Sequence, residues 1–131
     1  MSAPQQTVAP RVLVVEDSLS MGDALRTVLQ AAGYESEIHA TAVAALTAAR
    51  ARPPDTILLD LNLPGELTGD AAMPALIRLA PVIVVTGSAD DALKQRLLDL
   101  GAFGYMRKPF DLTELLDTVK AALSTRGRTA P

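Results

Sequence analysis

Five polar side chains stand where short apolar runs stop. Glu16 and Asp17 follow Arg11-Val12-Leu13-Val14-Val15, and Asp60 follows Thr56-Ile57-Leu58-Leu59. Thr86 follows Val82-Ile83-Val84-Val85, and Lys108 follows the stretch from Phe103 to Arg107. Three carboxylates gathered in one place repel one another and would sooner take up protons than stay ionised. A divalent cation removes that conflict, and all-oxygen ligation by few protein groups suits Mg²⁺. The ammonium of Lys108 pairs naturally with a carboxylate or a phosphoryl oxygen. A hard cation, an ammonium, a hydroxyl and one free carboxylate together suit a phosphoryl group in transfer, a reaction that depends on charge neutralisation and positioning. An aspartate can itself be the attacking group and become an acyl phosphate.

The elements that must deliver these groups are legible as alternating patterns. The apolar runs are continuous, as strands buried on both faces of a parallel sheet require. Between them lie helical patterns. Ala24, Leu25, Val28, Leu29 and Ala32 share one face, with Gly33 in the position of a C′ glycine. A short stretch from Tyr34 to Ala40 precedes an Ala-rich helix from about Thr41 to Arg52, which Pro53-Pro54 ends. A loop marked by Pro64, Gly65 and Gly69 leads to a third helix reaching Ala80, with Pro74 expected to delay its start or distort its first turns. Asp90 to Leu100 is helical and Gly101 stops it. Asp111 and Glu114 have the form of a capping box ahead of a stripe of Leu112, Leu115, Leu116, Val119 and Leu123. Five strands and five helices in alternation predict a doubly wound α/β domain. In such a sheet all carboxyl ends lie on one edge, where ligands bind. Residues 1–10 read as a flexible lead-in, 11–124 as the domain, and 125–131 as a tail.

Composition excludes other chemistries. The chain has 131 residues, is 49% hydrophobic and 21% charged, and so has room for one ordinary folded domain. It contains no cysteine and a single histidine, His39, which rules out thiolate chemistry and a cluster of imidazole ligands. A net charge of −3 with no Trp, two Phe and two Tyr gives neither a basic footprint nor a base-stacking platform, so nucleic-acid binding by this chain is not expected. No apolar run reaches the roughly 18–20 residues of a membrane span. The first ten residues lack the pattern of a signal peptide, so a cytoplasmic setting is expected.

Each polar group has an ordinary reading when taken alone. Glu16-Asp17 can be a solvated turn in which Asp17 or Ser18 caps the next helix. Thr86 can be a turn hydroxyl, Lys108 a solvated lysine, and Tyr105 a static core aromatic. His39 reads as a half-exposed strand residue with no chemistry. Their arrival together at successive strand ends favours the site. Two enzymatic or carrier readings fall on single residues. A phosphatase of the haloacid-dehalogenase type needs an aspartate two residues after its nucleophile, and that position holds Asn62. A flavin or dinucleotide carrier needs a phosphate loop after the first strand, where Glu16 and Asp17 would repel the phosphate.

The runs VLVVED, ILLDLNLPG, VIVVTG and YMRKPF stand in order over most of the chain, from about Arg11 to Ser124. With them the chain resembles the receiver domain of bacterial two-component response regulators, the CheY-like family. The resemblance implies a flavodoxin-like strand order of 2-1-3-4-5. It implies that Asp60 is the phosphoacceptor, charged by a histidine kinase or a histidine phosphotransfer protein. Mg²⁺ would be held by Asp17, Asp60 and the backbone carbonyl of Asn62, with Glu16 acting through a water. Lys108 and Thr86 would contact the phosphoryl group beside Gly87, Tyr105 would be the switch aromatic that turns inward, and the Lys108-Pro109 peptide would be cis. The chain would then act as a switch, not as a turnover enzyme, presenting the surface of its fourth and fifth strands and helices to a downstream partner. It is read as a stand-alone regulator; the alternative is a receiver cut from a longer hybrid kinase or DNA-binding regulator. Three departures from the family pattern stand out. Glu16 occupies a position where aspartate is commoner, the loop from Pro64 to Gly69 is one residue longer, and the segment from Gly69 to Val82 is short enough to truncate the third helix.

Overall fold

The computed structural model of the chain describes residues 8–128. Five parallel strands, β1 (Arg11–Val15), β2 (Glu35–His39), β3 (Thr56–Asp60), β4 (Val82–Thr86) and β5 (Gly104–Arg107), form one sheet in the order β2-β1-β3-β4-β5. Between and after them run α1 (Leu19–Ala31), α2 (Ala42–Ala51), α3 (Gly69–Leu76), α4 (Asp91–Leu100) and α5 (Leu112–Arg128). The doubly wound α/β architecture and its order are those expected.

The continuous apolar strands serve two cores at once because successive side chains point to opposite faces. Leu13, Val15, Ile57, Leu59, Val82 and Val84 pack with α2, α3 and α4 through residues such as Ala45, Leu76 and Leu97. Val12, Val14, Leu58, Ile83, Val85 and Met106 pack on the other face with Leu25 and Leu29 of α1 and Leu115 and Val119 of α5. The helical stripes are narrower than their apolar letters suggest. In α1 the buried positions are Gly22, Leu25 and Leu29, while Ala24 and Ala32 are exposed. In α5 Leu112 is 49% exposed and Ala122 is buried in its place.

Caps set the helix limits. Ser18 accepts from the Met21 N–H, Thr41 from Ala44, Thr68 from Ala71, and Asp90 from Ala92 and Leu93. Gly33 and Gly101 take the left-handed φ values of 92° and 118° that close the first and fourth helices. Asp111 caps α5 by accepting from the Thr113 N–H at 2.7 Å, but among the described residues Glu114 does not return the bond, so only half of the capping box forms.

Two expectations are corrected. Pro74 does not delay α3, which starts at Gly69 under the Thr68 cap; it sits inside the helix, which ends at Leu76, short of Ala80, the truncation that the short segment from Gly69 to Val82 implied. The ring removes the N–H that would reach the carbonyl of Asp70, and the turn after Leu76 tightens, with the Leu79 and Ala80 N–H groups both donating to the Leu76 carbonyl. The segment read as a tail from residue 125 continues α5 to Arg128, because neither Ser124 nor Thr125 interrupts it: their hydroxyls donate back to the carbonyls of Lys120 and Ala122. Residues 1–7 of the lead-in and 129–131 lie outside the described residues.

Gly69 reads in the sequence as a loop marker, and its function is a close approach. A Cβ there would lie 2.6 Å from the Asp60 carbonyl oxygen and 2.7 Å from the Leu61 Cα. The start of α3 therefore rests on the backbone that carries Asp60. Gly69→Ala is expected to lower stability by about 1–3 kcal/mol, read as a fall in the urea midpoint; an unchanged midpoint would contradict this contact.

At the edge strand β2, Glu37 joins two elements. Its carboxylate accepts from Arg11 Nη1 of β1 at 2.6 Å and meets His39 Nε2 at 2.6 Å, while Arg11 Nη2 also donates to the Arg52 carbonyl. The His39 bond, joined by the charge of Arg11, holds the Glu37 carboxyl below its ordinary value of 4.5. A lowered carboxylate stabilises the fold above its ordinary value and loses that contribution as the pH falls through its folded value. Glu37→Gln should thus cost up to about 1 kcal/mol near neutral pH, as exposed pairs do, and the gap from wild type should close below about pH 4 in thermal melts.

Candidate functional site

The sheet places the expected groups at one edge. Pairing continues past β1 for one residue, because the Glu16 N–H donates to the His39 carbonyl at 2.9 Å. Glu16 is thereby held inside the edge at 5% exposure, while the next residue, Asp17, is exposed. Asp60 ends β3 at 6% exposure and Thr86 ends β4 at 1%. One carboxylate oxygen from each of Glu16, Asp17 and Asp60 lies within 4.8 Å of the other two.

Lys108 reaches this cluster from the end of β5. Its Nζ donates to Glu16 Oε1 at 2.9 Å and to Asp60 Oδ2 at 3.2 Å. The remaining oxygens have backbone partners: Glu16 Oε2 accepts from the Ser18 N–H at 3.2 Å and Asp60 Oδ1 from the Asn62 N–H at 3.0 Å. Asp17 makes no side-chain hydrogen bond among the described residues, so its oxygens stay open. Burial pushes the Glu16 carboxyl above the ordinary carboxylate range, opposed by the bonds from Lys108 and Ser18, with the Asp60 charge adding to the rise. For Lys108, burial alone would favour the neutral amine, but its bonds to Glu16 and Asp60 outweigh that and raise it. An ammonium fixed between two carboxylates leaves one net negative charge from these three groups, and a second from Asp17.

The oxygen-only donor set, with its surplus negative charge and an exposed carboxylate on the solvent side, fits a hard divalent cation such as Mg²⁺. The residues in position to hold it are Asp17 and Asp60. The Asn62 N–H bond keeps the Asn62 backbone beside Asp60. Glu16, buried farther inside the edge than the exposed Asp17, could reach the cation through water.

The hydroxyl of Thr86 accepts from the Ser88 N–H at 3.2 Å, which leaves its own proton free to donate. Its carbonyl accepts from the Lys108 N–H at 2.8 Å, tying the ends of β4 and β5 together. A Cβ at Gly87 would meet open space, so this backbone lies uncovered beside Thr86. The Lys108-Pro109 peptide is cis.

Tyr105 stands apart from the charged cluster. It pairs with Val84 and packs on the α4 side of the sheet, where Lys94 Nζ lies 5.9 Å from the ring centroid. Its hydroxyl is already enclosed, without a hydrogen-bond partner among the described residues. Burial raises the phenol above its ordinary value. His39, given no role from the sequence, bonds Glu37 as described.

Sequence reading missed the residues that steady the loop after β4. The Ser88 hydroxyl accepts from the Asp90 N–H at 3.2 Å, and Arg107 Nη2 donates to the Ala89 carbonyl at 3.2 Å and to Asp91 Oδ1 at 2.5 Å. An arginine next to the lysine of YMRKPF was the available signal, but a single surface arginine has no pattern that names its partner.

Comparison with known proteins agrees with this geometry. Residues 12–120 match the family profile of the response regulator receiver domain. The transcriptional regulatory protein KdpE of Mycobacterium tuberculosis is 39% identical over 114 residues, covering 86% of this chain and 50% of that protein. PrrA of Mycobacterium leprae is 39% identical over 127 residues, covering 93% of this chain and 53% of that one. The chain thus spans about half the length of the curated relatives it matches. Among solved structures, a CheY-like receiver domain protein from Methanospirillum hungatei superimposes with a TM-score of 0.85 at 29% identity, over 92% of this chain and 98% of that one.

An enclosed hydroxyl without a partner costs about 1–3 kcal/mol of desolvation. Tyr105→Phe is therefore expected to hold or raise stability, by up to about 1 kcal/mol, in a urea titration. A clear loss would show that the hydroxyl has a partner.

Proposed function

From the premise that the chain belongs to the response regulator receiver domain family, we propose that it is a phosphoacceptor switch in which Asp60 takes a phosphoryl group. The observation that carries this reading is the shared ion pair. Lys108 holds Glu16 and Asp60 together at a buried edge, beside the exposed Asp17 and the free proton of Thr86.

An Asp60 carboxylate oxygen attacks phosphorus. A P–O or P–N bond to the donor breaks, and the leaving group departs with its electron pair. A bound Mg²⁺ would supply neutralisation of charge on the phosphoryl oxygens. Glu16 and Asn62 orient the Asp60 carboxylate for attack through Lys108 and the backbone. Lys108, already 3.2 Å from Asp60 Oδ2, is placed to follow the negative charge onto a phosphoryl oxygen while keeping its bond to Glu16. Thr86 can donate its hydroxyl to the new group without first losing the Ser88 bond, in which it is the acceptor. Such contacts exist only in the phosphorylated state, so they bias the β4–α4 loop toward it. The donor in this reading is a histidine kinase or a histidine phosphotransfer protein, and the output is a protein contact on the β4-α4-β5-α5 surface.

No described helix is long and apolar enough to cross a membrane, which suits the cytoplasmic setting of the reading. A second reading has a specific support. The mycobacterial relatives are transcriptional regulatory proteins about twice as long as the matched segment, so the same switch can serve as the receiver of a longer regulator.

The test is the intact mass of the protein after incubation with acetyl phosphate, with and without Mg²⁺, beside Asp60→Asn. The expected result is one hydroxylamine-labile phosphoryl adduct that needs Mg²⁺ and is missing from the variant. Stoichiometric labelling of Asp60→Asn would move the acceptor elsewhere, and transfer in excess chelator would remove the cation from the reaction.

A further inference from the structure

The loop between β4 and α4 is held from one side. Strand β4 lies between β3 and β5, so Asp60, paired with Val85, sits on one flank of the loop. Arg107, paired with Thr86, sits on the other flank, and its Nη2 bridges the Ala89 carbonyl at 3.2 Å and Asp91 Oδ1 at 2.5 Å. Arg107 and Thr86 are partners in parallel strands and point to the same face, and Tyr105 lies two residues before Arg107 on that face. The guanidinium therefore closes over the α4 side of the loop while the cluster holding Asp60 opens on the opposite flank. Within the loop, among the described residues, the turns closed by the Thr86 and Ser88 hydroxyls hold the chain, and neither reaches β3. Arg107 gives the loop its one tie to a neighbouring strand through a side chain among the described residues.

We propose that Arg107 is a positioning residue whose clasp on Ala89 and Asp91 holds the β4–α4 loop on the β5 side, away from Asp60, and thereby sets how readily Thr86 reaches a phosphoryl group there. The inference rests on the receiver reading above. The side chains of Arg107 and Asp91 are 44% and 88% exposed. A pair so open adds little to global stability, but a loop equilibrium needs little to shift. Measured exposed pairs correspond to roughly a two- to fivefold change in such an equilibrium. The pair is also screened by salt.

The experiment compares wild type with Arg107→Ala, Asp91→Asn and the double variant, after thermal melts verify folding. Amide hydrogen exchange at Ser88 and Asp90 is measured without any phosphodonor, and Asp60 labelling is timed with acetyl phosphate and Mg²⁺. Arg107→Ala should speed both by roughly two- to fivefold. Asp91→Asn should do part of this, the double variant should add nothing beyond Arg107→Ala, and high salt should narrow the gap from wild type. Arg107→Lys, which keeps a cation within reach of both acceptors, should restore most of the wild-type rate. Unchanged exchange in Arg107→Ala overturns the clasp. Faster exchange with an unchanged labelling rate overturns its link to the reaction. Failure of wild type itself to take label counts against the receiver reading, and the exchange comparison still decides whether Arg107 holds the loop.

Discussion

A parallel sheet delivers every strand to the same edge, and in this chain three of the strands arrive carrying acids or the lysine that joins them. Lys108 Nζ is the point where these strands meet electrostatically: it bonds Glu16 at the end of β1 and Asp60 at the end of β3 from its own place after β5. The geometry does not come cheaply. Glu16 and Asp60 are both nearly enclosed, and a buried carboxylate left unpaired loses its hydration without recompense. The ammonium offsets this only in part, since burial still leaves the Glu16 carboxyl raised. The residual tension is the chemical resource of the site. A cluster that is short of positive charge accepts a cation, and once a cation is present it can bear the added charge of a phosphoryl group.

The backbone holds the cluster in shape while its charges change. Glu16 is anchored through the His39 carbonyl, Asp60 through the Asn62 N–H and Gly69, and Lys108 through the Thr86 carbonyl. Apart from the Asn62 bond, these contacts involve backbone atoms and not the carboxylate oxygens, so they persist when a carboxylate gains or loses a proton. Strands β1 and β3 are buried on both faces, whereas the loop after β4 is held, among the described residues, by local turns and by the exposed Arg107 side chain. Movement is thus assigned by construction to the β4 side.

The fold was readable because its signals are redundant. Three continuous apolar runs at β1, β3 and β4, glycine stops at Gly33 and Gly101, and side-chain caps all agree with one topology, and most of the site residues followed from their positions at the ends of those runs. What escaped were features decided by single contacts. Pro74 suggested a delayed start to α3, but the Thr68 cap and the close packing of Gly69 fix the start, and the proline costs the helix only the bond to the Asp70 carbonyl. Ser124 and Thr125 looked like the end of order, yet their hydroxyls bond back to helical carbonyls and the helix runs on to Arg128. Ala24, Ala32 and Leu112 matched a helical period but are exposed. Arg107 carried no pattern because its partners are 16 and 18 residues away, and of the two partners of Glu37 only His39 is near in sequence.

The ends of β4 and β5 gather these features into one device. Lys108 and Arg107 are neighbours in sequence but serve opposite flanks of β4: the first faces the acids, the second holds the loop on the α4 side. The two are coupled through Thr86, whose carbonyl accepts from the Lys108 N–H and whose strand partner is Arg107. If charge arriving at Asp60 recruits Lys108 and the Thr86 hydroxyl together, the gain is opposed by a surface pair worth at most about 1 kcal/mol and by whatever the loop turns lose. Charge-assisted hydrogen bonds to a phosphoryl group are worth more than that, about 1.5–3 kcal/mol each. The inequality is what a switch requires. The resting loop is held firmly enough to stay in place without the phosphoryl group, yet weakly enough that one or two bonds to it reverse the balance.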